Sequence, residues 1–236
     1  MNKILSLSQS EFKKIFRDPF LSFIFALPLL IALLYRIIIP IVRKLLINYF
    51  DLADYYSLIM IFLMMLSPML FGWVIGFSLL DDRDEDLLAF MSITPLQKEG
   101  YLQFKILAPI AISIVQAYLV LLIANLTPMK YIKLLPVVIM VSLETPMFAL
   151  AQGSFANNKV EGLAIGKLMS IVLLAPFISY FVDSPLAYLA GIFPPFWITE
   201  SYFSTGSSYS LSLIAGFAVH ILFIFFMMRF FGRKQN

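Results

Sequence analysis

Trp73-Val74-Ile75-Gly76-Phe77-Ser78-Leu79-Leu80 ends a long apolar run, and Asp81-Asp82-Arg83-Asp84-Glu85-Asp86 follows at once. Leu87-Leu88-Ala89-Phe90-Met91-Ser92-Ile93-Thr94-Pro95 comes next, ahead of another apolar run. Six consecutive charged residues cannot sit in hydrocarbon, so this stretch divides two membrane spans. The apolar residues after the charges need a surface to lie on. A short helix over 84–93 is expected, with its acids in the first turn, where they suit the helix dipole. Leu87, Leu88, Met91 and, less closely, Phe90 give that helix an apolar face. Thr94-Pro95 stops it, because the residue before proline disfavours helix. Such an element fits either a groove on a soluble partner or the membrane surface.

Composition carries the membrane reading across the whole chain. The 236 residues are 61% hydrophobic and only 13% charged, against about 25% charged in soluble domains. Mean hydropathy is +0.92. One transmembrane domain over 1–236 is expected, with no room for a sizeable soluble one. A helix needs about 20 apolar residues to cross hydrocarbon. Six segments qualify, near 20–40, 57–80, 104–125, 132–152, 163–182 and 210–231. Backbone pairing within lipid makes them helices, hence an all-α membrane fold.

Orientation follows from Lys and Arg. One side takes Lys3, Lys13, Lys14, Arg17, Arg83, Lys98, Lys105, Lys159, Lys167, Arg229, Arg233 and Lys234. The other takes Arg36, Arg43, Lys44, Lys130 and Lys133. The excess of twelve over five puts both termini and the charged break in the cytoplasm. Residues 1–19 read as a basic amphipathic helix in the interface, turned inward at Asp18-Pro19, or else as a plain positive flank. Residues 183–209 hold Pro185, Pro194, Pro195, Phe193, Phe196, Trp197, Tyr202 and Phe203. That is too apolar for a solvated loop and too interrupted for a span. It reads as a re-entrant hairpin or as an aromatic belt.

Catalytic and metal chemistry find little support. Cysteine is absent and His220 is the single histidine. No Ser-His-Asp set or catalytic carboxylate pair emerges, so neither an enzyme nor a metal site is expected. No basic stripe with interleaved aromatics suggests nucleic acid. Gly162-Leu163-Ala164-Ile165-Gly166-Lys167 only faintly echoes a phosphate loop: the glycines stand too close, and Leu168 replaces the Ser or Thr. These glycines instead suit close helix packing. Asn125-Leu126-Thr127 matches a glycosylation acceptor formally but abuts a span. Glu144, mid-span in Val141-Ser142-Leu143-Glu144-Thr145-Pro146, costs roughly 3 kcal/mol at the bilayer centre and must face the bundle or a cavity. It serves either a substrate path or subunit contact, or an interhelical hydrogen bond.

The run Asp82-Arg83-Asp84-Glu85-Asp86-Leu87-Leu88-Ala89-Phe90-Met91-Ser92-Ile93-Thr94-Pro95-Leu96, with Tyr101 and Lys105, resembles the first cytoplasmic loop of ABC-2-type transporter permeases. Asn158-Lys159-Val160-Glu161-Gly162-Leu163-Ala164 with Lys167 resembles the loop before their fifth span. Small bacterial permeases of the fluoroquinolone-export type are most similar, along nearly the whole chain. One departure is Glu85-Asp86, where many relatives have Asp-Gly; a more helical turn is expected there.

The resemblance implies a permease subunit of an ABC exporter in a bacterial-type inner membrane. Two such subunits, identical or homologous, would form the pathway. Separate ATPase subunits would hold ATP and Mg and grip the coupling loop, 81–100, so this chain needs no cofactor. Implied coupling residues are Asp82, Arg83, Asp84, Glu85, Asp86, Leu87, Leu88, Phe90, Met91, Thr94 and Pro95, with Asn158, Lys159, Glu161, Gly162 and Lys167 in the second loop. A haem-exporter-like permease and a membrane scaffold or regulator are the competing readings.

Overall fold

The computed structural model describes residues 17, 19–93, 97–128 and 131–234. The expected interfacial helix over 1–19 lies outside them, apart from Arg17 and Pro19. Ten α-helices make up the described fold: α1 (Pro19–Leu46), α2 (Tyr56–Asp84), α3 (Leu87–Ser92), α4 (Gln97–Ala124), α5 (Tyr131–Ser142), α6 (Glu144–Phe155), α7 (Lys159–Val172), α8 (Ala175–Phe181), α9 (Pro194–Phe203) and α10 (Gly206–Lys234). Two 3-10 segments join them, Leu52–Tyr55 and Pro185–Ile192. Among the described residues, six helical stretches are long and apolar enough to cross a membrane: Ser22–Leu46, Leu52–Asp84, Gly100–Ala124, Ile132–Phe155, Lys159–Phe181 and Gly206–Arg233. By length and composition they fit the expected all-α membrane architecture.

Two spans expected as single helices are each built from two. The fourth breaks at Leu143, between α5 and α6, and the fifth breaks at Leu173-Leu174, between α7 and α8. A proline stands four residues beyond each last helical residue: Pro146 after Ser142, Pro176 after Val172. Proline has no N–H for the carbonyl four residues back, and its ring crowds that carbonyl. The chain tightens at both places. Leu143 N–H donates to Ile139 O (3.2 Å) and Met140 O (3.1 Å), and Leu173 N–H donates to Ser170 O (3.2 Å).

The core lies along α2, which makes its most extensive contact with α6. Met60, Ile61, Met64, Leu121, Val138 and Met140 are fully buried in the main apolar cluster. Every residue from Glu144 to Ser154 of α6 is buried. Small residues set this closeness. A Cβ on Gly72 would stand 2.5 Å from Phe148 Cβ and 2.8 Å from the Thr145 carbonyl oxygen. Gly162 and Gly166 likewise let α7 lie against Phe77, Leu80 and Trp73 of α2. By contrast, most of α1 and α10 is left uncovered, as expected for helices facing lipid or a second subunit.

Candidate functional site

The charged break gathers three helices at one end of the bundle. Asp81, Asp82 and Asp84 belong to the last turn of α2, not to the first turn of the following helix. Acids there oppose the helix dipole, so cations must compensate. Asp82, only 7% exposed, pairs with Lys105 of α4 and accepts from the Tyr101 hydroxyl at 3.0 Å. Lys105 Nζ also donates to Ser78 O at 3.2 Å. Lys159 Nζ reaches Asp81 Oδ1 at 2.8 Å. Arg83 Nη1 and Nη2 donate to Ala156 O (3.0 Å) and Asn157 O (2.7 Å), satisfying carbonyls just past α6. The second loop therefore docks on the end of α2.

That second loop is capped from within. Asn158 Oδ1 accepts from Glu161 N–H at 2.9 Å, starting α7. Glu161 Oε2 accepts from Asn157 N–H and Nδ2, both at 2.8 Å. The pattern is a capping box displaced by one residue. Gly162 is buried beneath it and Lys167 is exposed.

The short helix after the break runs from Leu87 to Ser92, shorter than the expected 84–93. Its start is set by Asp86 at φ +52°, ψ +24°, a left-handed conformation. Glu85-Asp86 thus makes a turn of the kind glycine suits, and the expectation of a more helical turn is corrected. Glu85 N–H donates to Asp81 O at 2.9 Å and Asp86 N–H to Arg83 O at 3.1 Å, closing α2. Phe90 and Ile93 are 59% and 81% exposed. Leu87 and Met91 are half-buried, and α3 packs on α2 and α4. Thr94 and Pro95 lie outside the described residues, as does the side chain of Leu88.

Glu144 opens α6 at the break and is wholly buried. Neither carboxyl oxygen has a hydrogen-bond partner. Next to it, Thr145 Oγ1 and Ser113 Oγ of α4 share a bond of 2.9 Å. Gln116 donates its amide to Phe25 O of α1. Polar groups from α4 and α6 thus sit at the centre of an apolar bundle. His220 is also buried, its Nδ1 2.7 Å from Gly216 O.

At the opposite end, segment 183–209 forms the 3-10 turn and then α9, which Pro194 and Pro195 start. Phe196, Ile198 and Thr199 are buried, so α9 is part of the packed bundle. Between α8, the 3-10 turn and α9 opens a cavity of about 650 Å³.

Several residues of these clusters escaped the sequence reading. Asp81 was not singled out among the acids, although an acid and Lys159 meet only in three dimensions. Tyr101 enters the sequence analysis only through a motif, and Lys105 only through that motif and the charge count; their four-residue spacing, which stacks them on one face of α4, is the available signal. Ser179 and Glu200 carried no signal, being 21 residues apart.

A protein-family model described as "Fluoroquinolones export permease protein Rv2686c-like" matches residues 11–228. Two Mycobacterium tuberculosis proteins, from strains CDC 1551 / Oshkosh and ATCC 25618 / H37Rv, are each named a fluoroquinolones export permease protein. Each is 21% identical to this chain over 239 residues, covering 98% of it and 95% of the relative. No solved structure matches. With the family model covering nearly the whole six-span bundle, the chain belongs to the Rv2686c-like fluoroquinolones export permease family.

Proposed function

We propose that this chain is the membrane-embedded permease subunit of an ABC exporter. Two such subunits form the pathway, and separate ATPase subunits, which hold ATP and Mg, dock on α3. Both termini face the cytoplasm of a bacterial-type cell, and the pathway crosses its inner membrane. The relatives are named for fluoroquinolone export, and we extend that cargo class to this chain.

The observation that carries this reading is α3 itself. Phe90 and Ile93 expose large apolar surface at the most charged end of the molecule. Apolar anchors on a short helix are what a protein groove accepts. Asp81, Asp82 and Arg83 tie the root of α3 to α4 and to the loop before α7. A push on α3 would therefore reach three helices at once. Arg83 also meets the carbonyls just past α6, and Glu144 with the break at Leu143 stands at the other end of that helix; we assign Glu144 to the pathway.

Affinity purification tests the reading. The tagged chain should retain an ATPase in mild detergent, and Leu87→Asp with Phe90→Asp should release it while leaving membrane insertion intact. Failure of the unaltered chain to retain any ATPase, with and without nucleotide analogues, would point to a scaffold or regulator. Coupled transport by the double variant would exclude α3 as the handle. Vesicle uptake of a fluoroquinolone, compared with haem, tests the cargo; Glu144→Gln should lower it if the carboxyl lines the path.

A further inference from the structure

The cavity at the end opposite the charged break has a chemical character of its own. Tyr180, Asp183, Tyr188, Phe196, Ser179 and Glu200 are among its walls. Its volume of about 650 Å³ is in the range of small-molecule sites. A second cavity of about 360 Å³ adjoins it, sharing Ser179, Tyr180 and Glu200 and adding Thr199 and Phe203.

Glu200 is held in place by two hydroxyls. Ser179 Oγ donates to Oε2 and Tyr188 OH to Oε1, each at 3.0 Å. Its hydrogen bond to Glu200, and then the carboxylate charge, raise the Tyr188 phenol above its ordinary value, so the phenol stays a donor. Among the described residues no Lys or Arg pairs with Glu200 or Asp183. The described walls therefore hold two carboxyl groups with no basic side chain at pairing distance. The rings are ordered too: Tyr188 lies 5.7 Å from Phe196, and Tyr180 5.0 Å from Phe203, centroid to centroid. Thr199 is 1% exposed, and its buried Oγ1 has no hydrogen-bond partner.

Carboxylates among aromatic faces select one kind of ligand. The ring faces attract a cation and repel an anion. A carboxylate accepts N–H bonds, and such charge-assisted bonds are the strong ones. An aromatic body attached to the cation would stack on the remaining rings. From this geometry we propose that the cavity between α8, the 185–192 turn and α9 binds an ammonium group, with Glu200 as its hydrogen-bond acceptor. The ammonium comes either from a soluble aryl amine or from a phosphatidylethanolamine headgroup. The site is independent of how α3 meets its partner.

The full chain in phosphatidylglycerol nanodiscs is titrated calorimetrically with 1-phenylpiperazinium. One saturable site is expected. Glu200→Gln, which keeps the partners of the side chain but not its charge, should weaken binding about tenfold. Neutral 4-phenylmorpholine, of nearly the same shape, should bind weaker by a similar factor. A second arm repeats the titration in phosphatidylethanolamine nanodiscs. Competition there, with headgroup lipid retained by the wild type but not by Glu200→Gln in native mass spectrometry, assigns the site to lipid. Unchanged affinity there assigns it to the soluble amine. Asp183→Asn, at an exposed position, replaces Glu200→Gln if that variant does not fold. Equal binding by wild type and carboxylate variants, or no specific binding of either ammonium source, overturns the proposal. Binding needs no ATPase, so this outcome is separable from failure of the exporter reading.

Discussion

Asp82 of α2 and Lys105 of α4 form an ion pair that is almost wholly enclosed, with side chains 9% and 11% exposed. The Tyr101 hydroxyl donates to the same carboxylate oxygen that Lys105 meets. Enclosed pairs are costly to break singly, because the remaining charge is left without a partner. Lys105→Met should therefore destabilise the protein by about 3 kcal/mol. Asp82→Asn in the same chain should restore a large part of that loss. Detergent unfolding curves of both single variants and the double variant check it; simple additivity of the two losses would contradict the pairing.

Asp86 makes a different prediction, about the turn and not the charge. A non-glycine residue at φ +52° carries a left-handed strain of roughly 1 kcal/mol. Asp tolerates the region better than most side chains. Asp86→Gly should be neutral or slightly stabilising, since relief of strain is offset by the greater freedom of an unfolded glycine. Asp86→Val should cost about 1–2 kcal/mol. The order Gly, Asp, Val in melting temperature is the readout, and a Val variant as stable as the parent would show that the turn adapts.

Arg83 donates to two adjacent carbonyls of one loop, Ala156 and Asn157, which lie 73 and 74 residues further along the sequence. Arg83→Ala leaves both carbonyls without these donors. The expected loss is about 1–2 kcal/mol, concentrated locally. Hydrogen exchange of amides 157–161 should accelerate more than that of the α2 core. Uniform acceleration would mean that Arg83 acts on global stability instead.

The spans were legible because twenty apolar residues in a row are a property of the chain alone. The two breaks were only half legible. Pro146 and Pro176 interrupt helices, yet Pro28, Pro40, Pro68, Pro109 and Pro136 lie inside unbroken ones. Whether a proline breaks or bends its helix depends on what else supplies the freed carbonyl, which is a tertiary matter. The short helix after the charged break was legible as an element and misplaced at its start. Its boundary rests on one backbone conformation at Asp86, and composition favoured continuing the helix through the acids. Arg83, Lys159 and Glu200 found their partners only through folding, so their roles had no local signature.

Gly72 tests the closest helix contact. Its Cβ would meet both the Phe148 Cβ and the Thr145 carbonyl oxygen. A backbone oxygen cannot rotate away, so α2 and α6 must separate. Gly72→Ala should cost about 1–3 kcal/mol. Gly232, beside which a Cβ meets nothing within 4 Å, is the control: Gly232→Ala should be neutral or stabilising by a few tenths of a kcal/mol, as expected for glycine replaced within a helix. Thermal unfolding of the two variants in the same detergent compares them directly. Equal behaviour would remove the close packing of α2 on α6 as a determinant of stability.

Asp51 gives a pH dependence with a definite sign. It lies in the turn after α1, where Arg43 Nε and Nη2 donate to its two oxygens at 2.6 and 2.7 Å. The Arg43 hydrogen bond first, then the Ala53 N–H, hold its carboxyl at about 2, below the usual 3.8. A depressed carboxylate stabilises the folded state fully above the unfolded value and loses that contribution as pH falls towards the folded one. The contribution from Asp51 should therefore be complete at pH 5, decline below 3.8 and be gone by about 2. The pair is open to solvent, so salt should weaken it. Asp51→Asn should show a shallower fall in stability across this window than the parent, and the difference between the two proteins should shrink in high salt. Unfolding curves at pH 5, 4 and 3 provide the comparison, and parallel curves for the two proteins would place the Arg43 contact outside the forces that hold the turn.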